Sequence, residues 1–158
     1  MSAEGRPDEQ VVDGSGLTVA IVHGTWHRTI AAGLLAGARR AIAAAGATAV
    51  EYPVPGSFEL PVVAKAALLA GADAAVALGV IIRGGTPHFE YVSSAATEGL
   101  TRVALDTGKP VGFGVLTLDD EEQGLDRAGL PGSREDKGAE AADAAMRTAL
   151  TLRAIRDA

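Results

Sequence analysis

The chain has 158 residues, 47% of them hydrophobic, no cysteine, and a net charge of −6 at pH 7. That length makes one domain with a sizeable core. Without cysteine there is neither a disulfide framework nor a thiolate metal site, and the acidic balance argues against a nucleic-acid partner, which asks for a basic face.

No apolar run approaches the ~20 residues that a membrane helix needs. The opening "MSAEGRPDEQ" is polar where a secretory signal requires an apolar stretch. A soluble cytoplasmic protein is therefore expected. Aromatics are scarce at 4%. Abundant Ala and Gly allow close helix packing but leave modest apolar area per residue, a hint of oligomerisation.

Residues 1–15 carry charge, Gly and Pro without periodicity and read as a flexible tail. One domain is expected over 16–158. "LTVAIV" (17–22) suits a buried strand. "HGTWHRT" interrupts it, and a helix follows with Ile30, Leu34, Ala38 and Ala41 on one face and Gly46 just past its end. "ATAVEYPV" (47–54) is a second strand, which Pro53 marks as an edge or a strand end.

"PGSFELPVVAKAALLAGA" turns into a second helix, with Ser57 as its expected N-cap. "DAAVALGVII" (73–82) is a strand covered on both faces. "TPHFEYVSSAATEGLTRVALDTG" is a third helix, with Thr86 as N-cap, Pro87 at the first helical position and His88 at the second. "KPVGFGVLTL" (109–118) is the fourth strand and "DEEQGLDRAG" a short helix. "SREDKGAEAADAAMRTALTLRAIRD" is a long last helix, with Ser133 and Asp136 spaced as a capping box.

Strands alternating with helices mean right-handed crossovers, a parallel sheet and helices on both faces: a doubly wound α/β domain. Ligands of such sheets bind outside the carboxyl ends of the strands, which picks out 23–28, 54–59, 83–88 and 113–121. His88, at the positive end of a helix, is kept neutral and able to move protons. Gly84, Gly85 and Thr86 form a candidate anion cradle, with a tight glycine turn as the equally weighted alternative.

Trp26 is the chain's single tryptophan. It is either a core or oligomer anchor or a platform for a flat heterocycle. Glu59 suits a first helical turn, and its loop also suits hydrogen bonding to a polyol or amine. Arg127 and Lys137 bracket "AGLPGSRED" and by themselves read as surface cations. No His/Asp/Glu cluster has metal-ligand spacing, and no Walker A or G-x-S-x-G motif occurs. From the residues, the site handles a flat ring and an anion with one histidine.

"VPGSFELP", "ALGVIIRGGTPHFEYV", "GVLTLDDEEQGLDRAG" and "DKGAEAA" occur in that order. With them the chain resembles the 6,7-dimethyl-8-ribityllumazine synthase family over roughly residues 16–156. The resemblance implies a three-layer αβα sandwich on a four-stranded parallel sheet of flavodoxin-like topology. It also implies a homopentamer with sites between adjacent subunits, and no metal or organic cofactor.

The implied reaction condenses 5-amino-6-(D-ribitylamino)uracil with 3,4-dihydroxy-2-butanone 4-phosphate in riboflavin biosynthesis. The resemblance places Trp26 on the pyrimidine ring, Ser57, Phe58 and Glu59 at the ribityl end, and Val80, Ile81 and Ile82 at the pyrimidine edge. Gly84, Gly85 and Thr86 fall at the phosphate and His88 at the proton transfer. Phe113, Arg127 and Lys137 come from the neighbouring subunit, covering the ring, pairing with phosphate and approaching the ribityl end respectively.

Two departures stand out. Gly85 replaces a polar residue of many relatives, and His27 replaces a common Asn. "GLPGSREDKG" is longer than the turn of shell-forming members, which favours a free pentamer. A binding or scaffold paralogue is the alternative from another class. A flavodoxin-like electron carrier ranks below both, lacking a Ser/Thr-rich phosphate loop after the first strand. Arg83 is expected in a structural ion pair.

Overall fold

A computed structural model describes residues 4–8 and 10–158. The strands are β1 (Thr18–Gly24), β2 (Thr48–Val54), β3 (Ala74–Ile82) and β4 (Val111–Leu118); the helices are α1 (Arg28–Ala44), α2 (Leu60–Leu69), α3 (His88–Thr107), α4 (Glu121–Leu125) and α5 (Lys137–Arg156). The sheet is wholly parallel in the order β2-β1-β3-β4. Helices α1 and α5 cover one face and α2 and α3 the other, a three-layer αβα sandwich.

Strand alternation explains the two cores. Val19 and Ile21 of β1 point with Val76 and Leu78 of β3 into the α1/α5 side, joined by Ile30, Leu34 and Met146. Ala20, Val22, Ala75 and Ala77 point to the α2/α3 side, against Leu60, Leu68 and Leu100. Central β3 is buried almost throughout, as a strand covered on both faces must be. Edge strand β2 buries only Val54, which fits the Pro53 reading. Gly46 follows the α1 C-terminus at φ +74°, as expected of a glycine there.

Three helix starts differ from expectation. Ser57 caps nothing. It opens a 3-10 turn, Ser57–Glu59, and the Glu59 carboxylate accepts the Gly56 backbone N–H at 3.0 Å, doing the capping from inside the turn. Helix α3 begins at His88 with Pro87 in the cap position, so Thr86 lies outside it and makes no cap bond. The fixed φ of proline serves there in place of a hydroxyl cap.

Ser133 lies in the loop before α5, where its hydroxyl accepts from Leu130 N–H and donates to the Leu125 carbonyl. Asp136 alone caps α5, accepting from Ala139 N–H at 3.1 Å. Phe113 sits inside β4, well short of its carboxyl end, and so lies outside the loop expected at 113–121.

Of the segment 1–15, residues 1–3 and 9 lie outside the described residues. Arg6 pairs with Glu140 at 3.0 Å, Gln10 accepts from Arg147, and Gly14 N–H donates to the Ala45 carbonyl at 2.7 Å. No helix among the described residues is long and apolar enough to cross a membrane.

Helices α1 and α5 meet through glycines. A Cβ on Gly138 would stand 2.0 Å from the Leu34 carbonyl oxygen, and one on Gly37 2.2 Å from Asp136 Oδ1. Alanine at 138 gains at most ~1 kcal/mol of helix propensity. The overlap with backbone forces the helices apart and outweighs that gain. Gly138→Ala is expected to cost about 2 kcal/mol in urea titration. The control Gly84→Ala, whose added methyl meets nothing within 4 Å, should change little.

On the α1 side of the β2 edge, Arg39 forms a two-pronged pair with Glu51, at 2.7 and 2.6 Å. Hydrogen bonding to Arg39 holds the Glu51 carboxyl below its usual range. A lowered carboxyl pKa stabilises the fold above the unfolded value, and that increment is lost as pH falls through the folded value. The stability difference between the native chain and Glu51→Gln is expected to be a fraction of ~1 kcal/mol at pH 7, given the half-exposed pair. It should vanish near pH 3; a constant difference would contradict the assignment.

Candidate active site

The carboxyl ends of β1 and β3, the 3-10 turn and the start of α3 enclose a cleft of about 780 Å³. Its lining includes Trp26, Ser57, Phe58, Glu59, Val80, Ile81, Ile82 and His88, all singled out from sequence, together with His27 and Tyr91, which were not assigned to it. The cleft lies where the strand order diverges from β1, as expected for an open parallel sheet.

Each wall has a local cause. Gly79 in β3 leaves space in which the Ser57 side chain packs; a Cβ there would lie 2.4 Å from the Ser57 hydroxyl. That close fit seats the Ser57–Glu59 turn on the strand, with Ser57 buried. Gly56 then lies beside the Trp26 indole, where a Cβ would meet ring atoms at 3.3 and 3.4 Å. The bond from Gly56 N–H to Glu59 fixes the carboxylate at the cleft. His27 adopts the left-handed conformation, φ 57°, the one non-glycine residue to do so among the described residues. This kink turns the chain from β1 into α1 and leaves Trp26 projecting outward.

Trp26, Phe58 and Tyr91 are 68, 65 and 75% exposed. Large aromatic rings left that bare around a cleft are surfaces for a ligand or another chain rather than core anchors. His88 opens α3 from an exposed position, beside the helix's positive end. Gly84 and Gly85 have open space where a side chain would go, and neither has positive φ. A tight turn that requires a positive-φ glycine is thus excluded.

Arg83 has the structural role expected of it. Its guanidinium pairs with Asp119 at 3.0 Å and Glu90 at 2.7 Å, and lies 4.4 Å from the centre of the Phe89 ring. It thereby ties the end of β3 to the end of β4 and the first turn of α3. His23 points to the α1 layer, away from the cleft, where burial pushes its imidazole below the usual histidine range.

Phe113, Arg127 and Lys137 do not line this cleft. Phe113 is half exposed on the edge strand β4. Arg127 and Lys137 stand on the α1/α5 layer, on a short antiparallel ladder in which Ala128 pairs with Asp136. Lys137 N–H donates to the Arg127 carbonyl at 2.9 Å, and Gly129 N–H to the Glu135 carbonyl at 3.0 Å.

Alternation turns Ala128 and Asp136 toward Gly33 and Gly37 of α1, and sets Arg127, Glu135 and Lys137 together on the other face. Arg127 Nη1 also donates to the Gln123 carbonyl at 2.9 Å. Burial acts to lower the Lys137 pKa, but its pairs with Glu140 and Glu135 prevail and raise it above the usual lysine value. Among the described residues, no group of three His, Cys, Asp or Glu side chains is placed to hold a metal.

Comparison with known proteins agrees with this architecture. The profile of 6,7-dimethyl-8-ribityllumazine synthase matches residues 16–153. The proteins of that name from Leifsonia xyli subsp. xyli and Clavibacter michiganensis subsp. michiganensis are 73% and 70% identical, over 99% and 100% of this chain and the same shares of their own. That of Kineococcus radiotolerans is 62% identical over 98% of this chain and 96% of its own.

Because Trp26 is the single tryptophan, its emission reports on the cleft alone. A flat heterocycle bearing a polyol is expected to quench it on binding. Unchanged emission at saturation would take Trp26 out of the site.

Proposed function

We infer the function from the family: the chain belongs to the 6,7-dimethyl-8-ribityllumazine synthases. It is a transferase of riboflavin biosynthesis that condenses 5-amino-6-(D-ribitylamino)uracil with 3,4-dihydroxy-2-butanone 4-phosphate. Its placement in the cytoplasm, without membrane or nucleic-acid partners, belongs to the same reading. The observation that supports it most is the convergence of an exposed indole, a fixed carboxylate and a helix-terminal histidine on one cleft.

In this reading the pyrimidine stacks on Trp26, and the backbone at Val80, Ile81 and Ile82 meets its edge. Ser57, Phe58 and Glu59 hold the ribityl chain, Glu59 accepting from its hydroxyls. The uracil's 5-amino group attacks the ketone carbonyl, and loss of water gives a Schiff base. Loss of a proton then expels phosphate, the resulting enol tautomerises to a carbonyl, and the ribitylamino nitrogen attacks that carbonyl and closes the ring with loss of a second water. His88, at the start of α3, relays the protons. The amides of Gly84 and Gly85 and the Thr86 hydroxyl receive the phosphate at the positive end of that helix.

A single chain leaves this site half built. Arg127 and Lys137 lie on the opposite layer from the 3-10 turn and His88, which supports the reading that a second copy brings them to the cleft. We assign Arg127 to the phosphate, which a guanidinium holds by two parallel hydrogen bonds. Lys137 goes to the ribityl end and Phe113 over the ring, all from the adjacent subunit of a homopentamer. Val62, Leu69 and Leu105 on α2 and α3, each 69–78% exposed, supply apolar surface for such an assembly.

Given both substrates, the purified protein should form the lumazine, read by absorbance and fluorescence. No product between pH 6 and 8 would leave the scaffold reading. His88→Ala should lower kcat by ~10²-fold or more, as lost acid–base help does. Arg127→Ala should raise KM for the butanone phosphate far more than for the pyrimidine, and equal effects would refute the phosphate assignment.

A further inference from the structure

Glu135 has no part in the reaction described above, yet it sits between two of the cations assigned to it. Its carboxylate is nine-tenths buried, at 10% exposure. One oxygen, Oε1, lies 3.1 Å from Lys137 Nζ, and the other, Oε2, lies 3.6 Å from Arg127 Nε. Burying a carboxylate costs several kcal/mol unless partners offset it, so this is an expensive side chain to keep on an otherwise simple loop. Ala128 and Asp136 already fix that loop to α1 through Gly33, Gly37 and the α5 cap.

The short ladder explains the arrangement. Residues 127, 135 and 137 share one face by strand alternation, and backbone bonds from Lys137 to Arg127 and from Gly129 to Glu135 hold their register. The Arg127 guanidinium donates from Nη1 to the Gln123 carbonyl at 2.9 Å and forms a looser ion pair at Nε with Glu135, at 3.6 Å. The Arg127 side chain is still 35% exposed, so part of the guanidinium stays open to solvent. Arginine loses much rotamer entropy when it is fixed in this way, and prior fixing spares an incoming phosphate that cost.

We propose that Glu135 is a positioning residue, which holds Arg127 so that the exposed part of its guanidinium meets the substrate phosphate of the adjacent subunit. The proposal rests on the assignment of Arg127 to that phosphate. A carboxylate beside a phosphate-binding cation has two opposed effects. Its charge alone weakens anion binding, whereas its hold on the guanidinium strengthens it. The sign of the change on removal separates them.

Glu135→Gln keeps the shape and removes the charge. KM for the butanone phosphate is expected to rise about fivefold, the factor that ~1 kcal/mol of lost orientation gives. KM for the pyrimidine should change less. The same variant should weaken competition by inorganic phosphate by a similar factor. An unchanged or lowered KM for the phosphate substrate would overturn the proposal.

Adding Glu135→Gln to Arg127→Ala should raise KM no further, because Glu135 acts through Arg127. A full second rise would mean a merely structural effect and would also overturn it. If Glu135→Gln fails to assemble, Glu135→Asp keeps the charge and shortens the reach; it should raise the same KM, and no change there would sink the idea. Arg127→Ala separates the two levels. If it leaves that KM unaltered, the phosphate assignment fails with everything built on it. If it raises KM while Glu135→Gln does not, Glu135 alone loses its role.

Discussion

The contact on which the rest depends is the close approach of α1 and α5. At Gly138 and Leu34 the two backbones touch with no side chain between them, and Gly37 admits the Asp136 carboxylate in the same way. Asp136 then caps α5 and pairs with Arg40 at 2.8 Å, so one residue fastens the helix start to α1. The Ala-rich, glycine-rich composition has its physical meaning here. Small residues let polar backbone and a capping carboxylate pack at contact distance, where larger ones would hold the layers apart.

From that contact follows the placement of the cations proposed for the site. The ladder of residues 127–129 and 135–137 is pressed onto α1 by its inner residues, and its outer residues are Arg127, Glu135 and Lys137. The sheet lies between this group and the Ser57–Glu59 turn with His88. No rotamer change carries a side chain through a packed sheet, so the proposed site joins these two groups only between chains. In that proposal oligomerisation is part of the chemistry as well as a source of stability. The bare Trp26, Phe58 and Tyr91 rings make the same case from the cleft side.

Much of this was legible in the sequence, and the failures have physical reasons. The alternation of apolar runs with helical periodicity gave every strand and helix, because β3 is buried on both faces and Gly46 must take positive φ. Helix starts were less legible. Ser57, Thr86 and Ser133 all have the right chemistry to cap, but Glu59 and Asp136 do it, and Pro87 takes the α3 cap position with no side-chain bond, since tertiary packing chose among several local options. Ser57 is drawn under the turn by the space above Gly79, a contact between residues far apart in sequence.

Among the residues proposed for the site, Trp26, Glu59 and His88 could be found from their positions at strand ends. Arg127 and Lys137 looked like ordinary surface cations, because the ladder that pairs them is too short to show a strand pattern. Glu135 was missed for the same reason: only the three-dimensional bridge gives it meaning. Arg83, the oddest residue in "GVIIRGGTPHFEY", is a tie between β3, β4 and α3 rather than a ligand for substrate.

The central claim is that each site joins the His88 cleft of one chain to the Arg127 ladder of another. Subunit complementation tests it most directly. His88→Ala and Arg127→Ala chains, each nearly inactive alone, are unfolded together and reassembled in equal amounts. Random mixing in a ring gives both intact halves to about a quarter of the interfaces, so about a quarter of the native activity should return. If the mixed assembly is no more active than the average of the two variants, both residues serve the same chain's site, and the account is wrong.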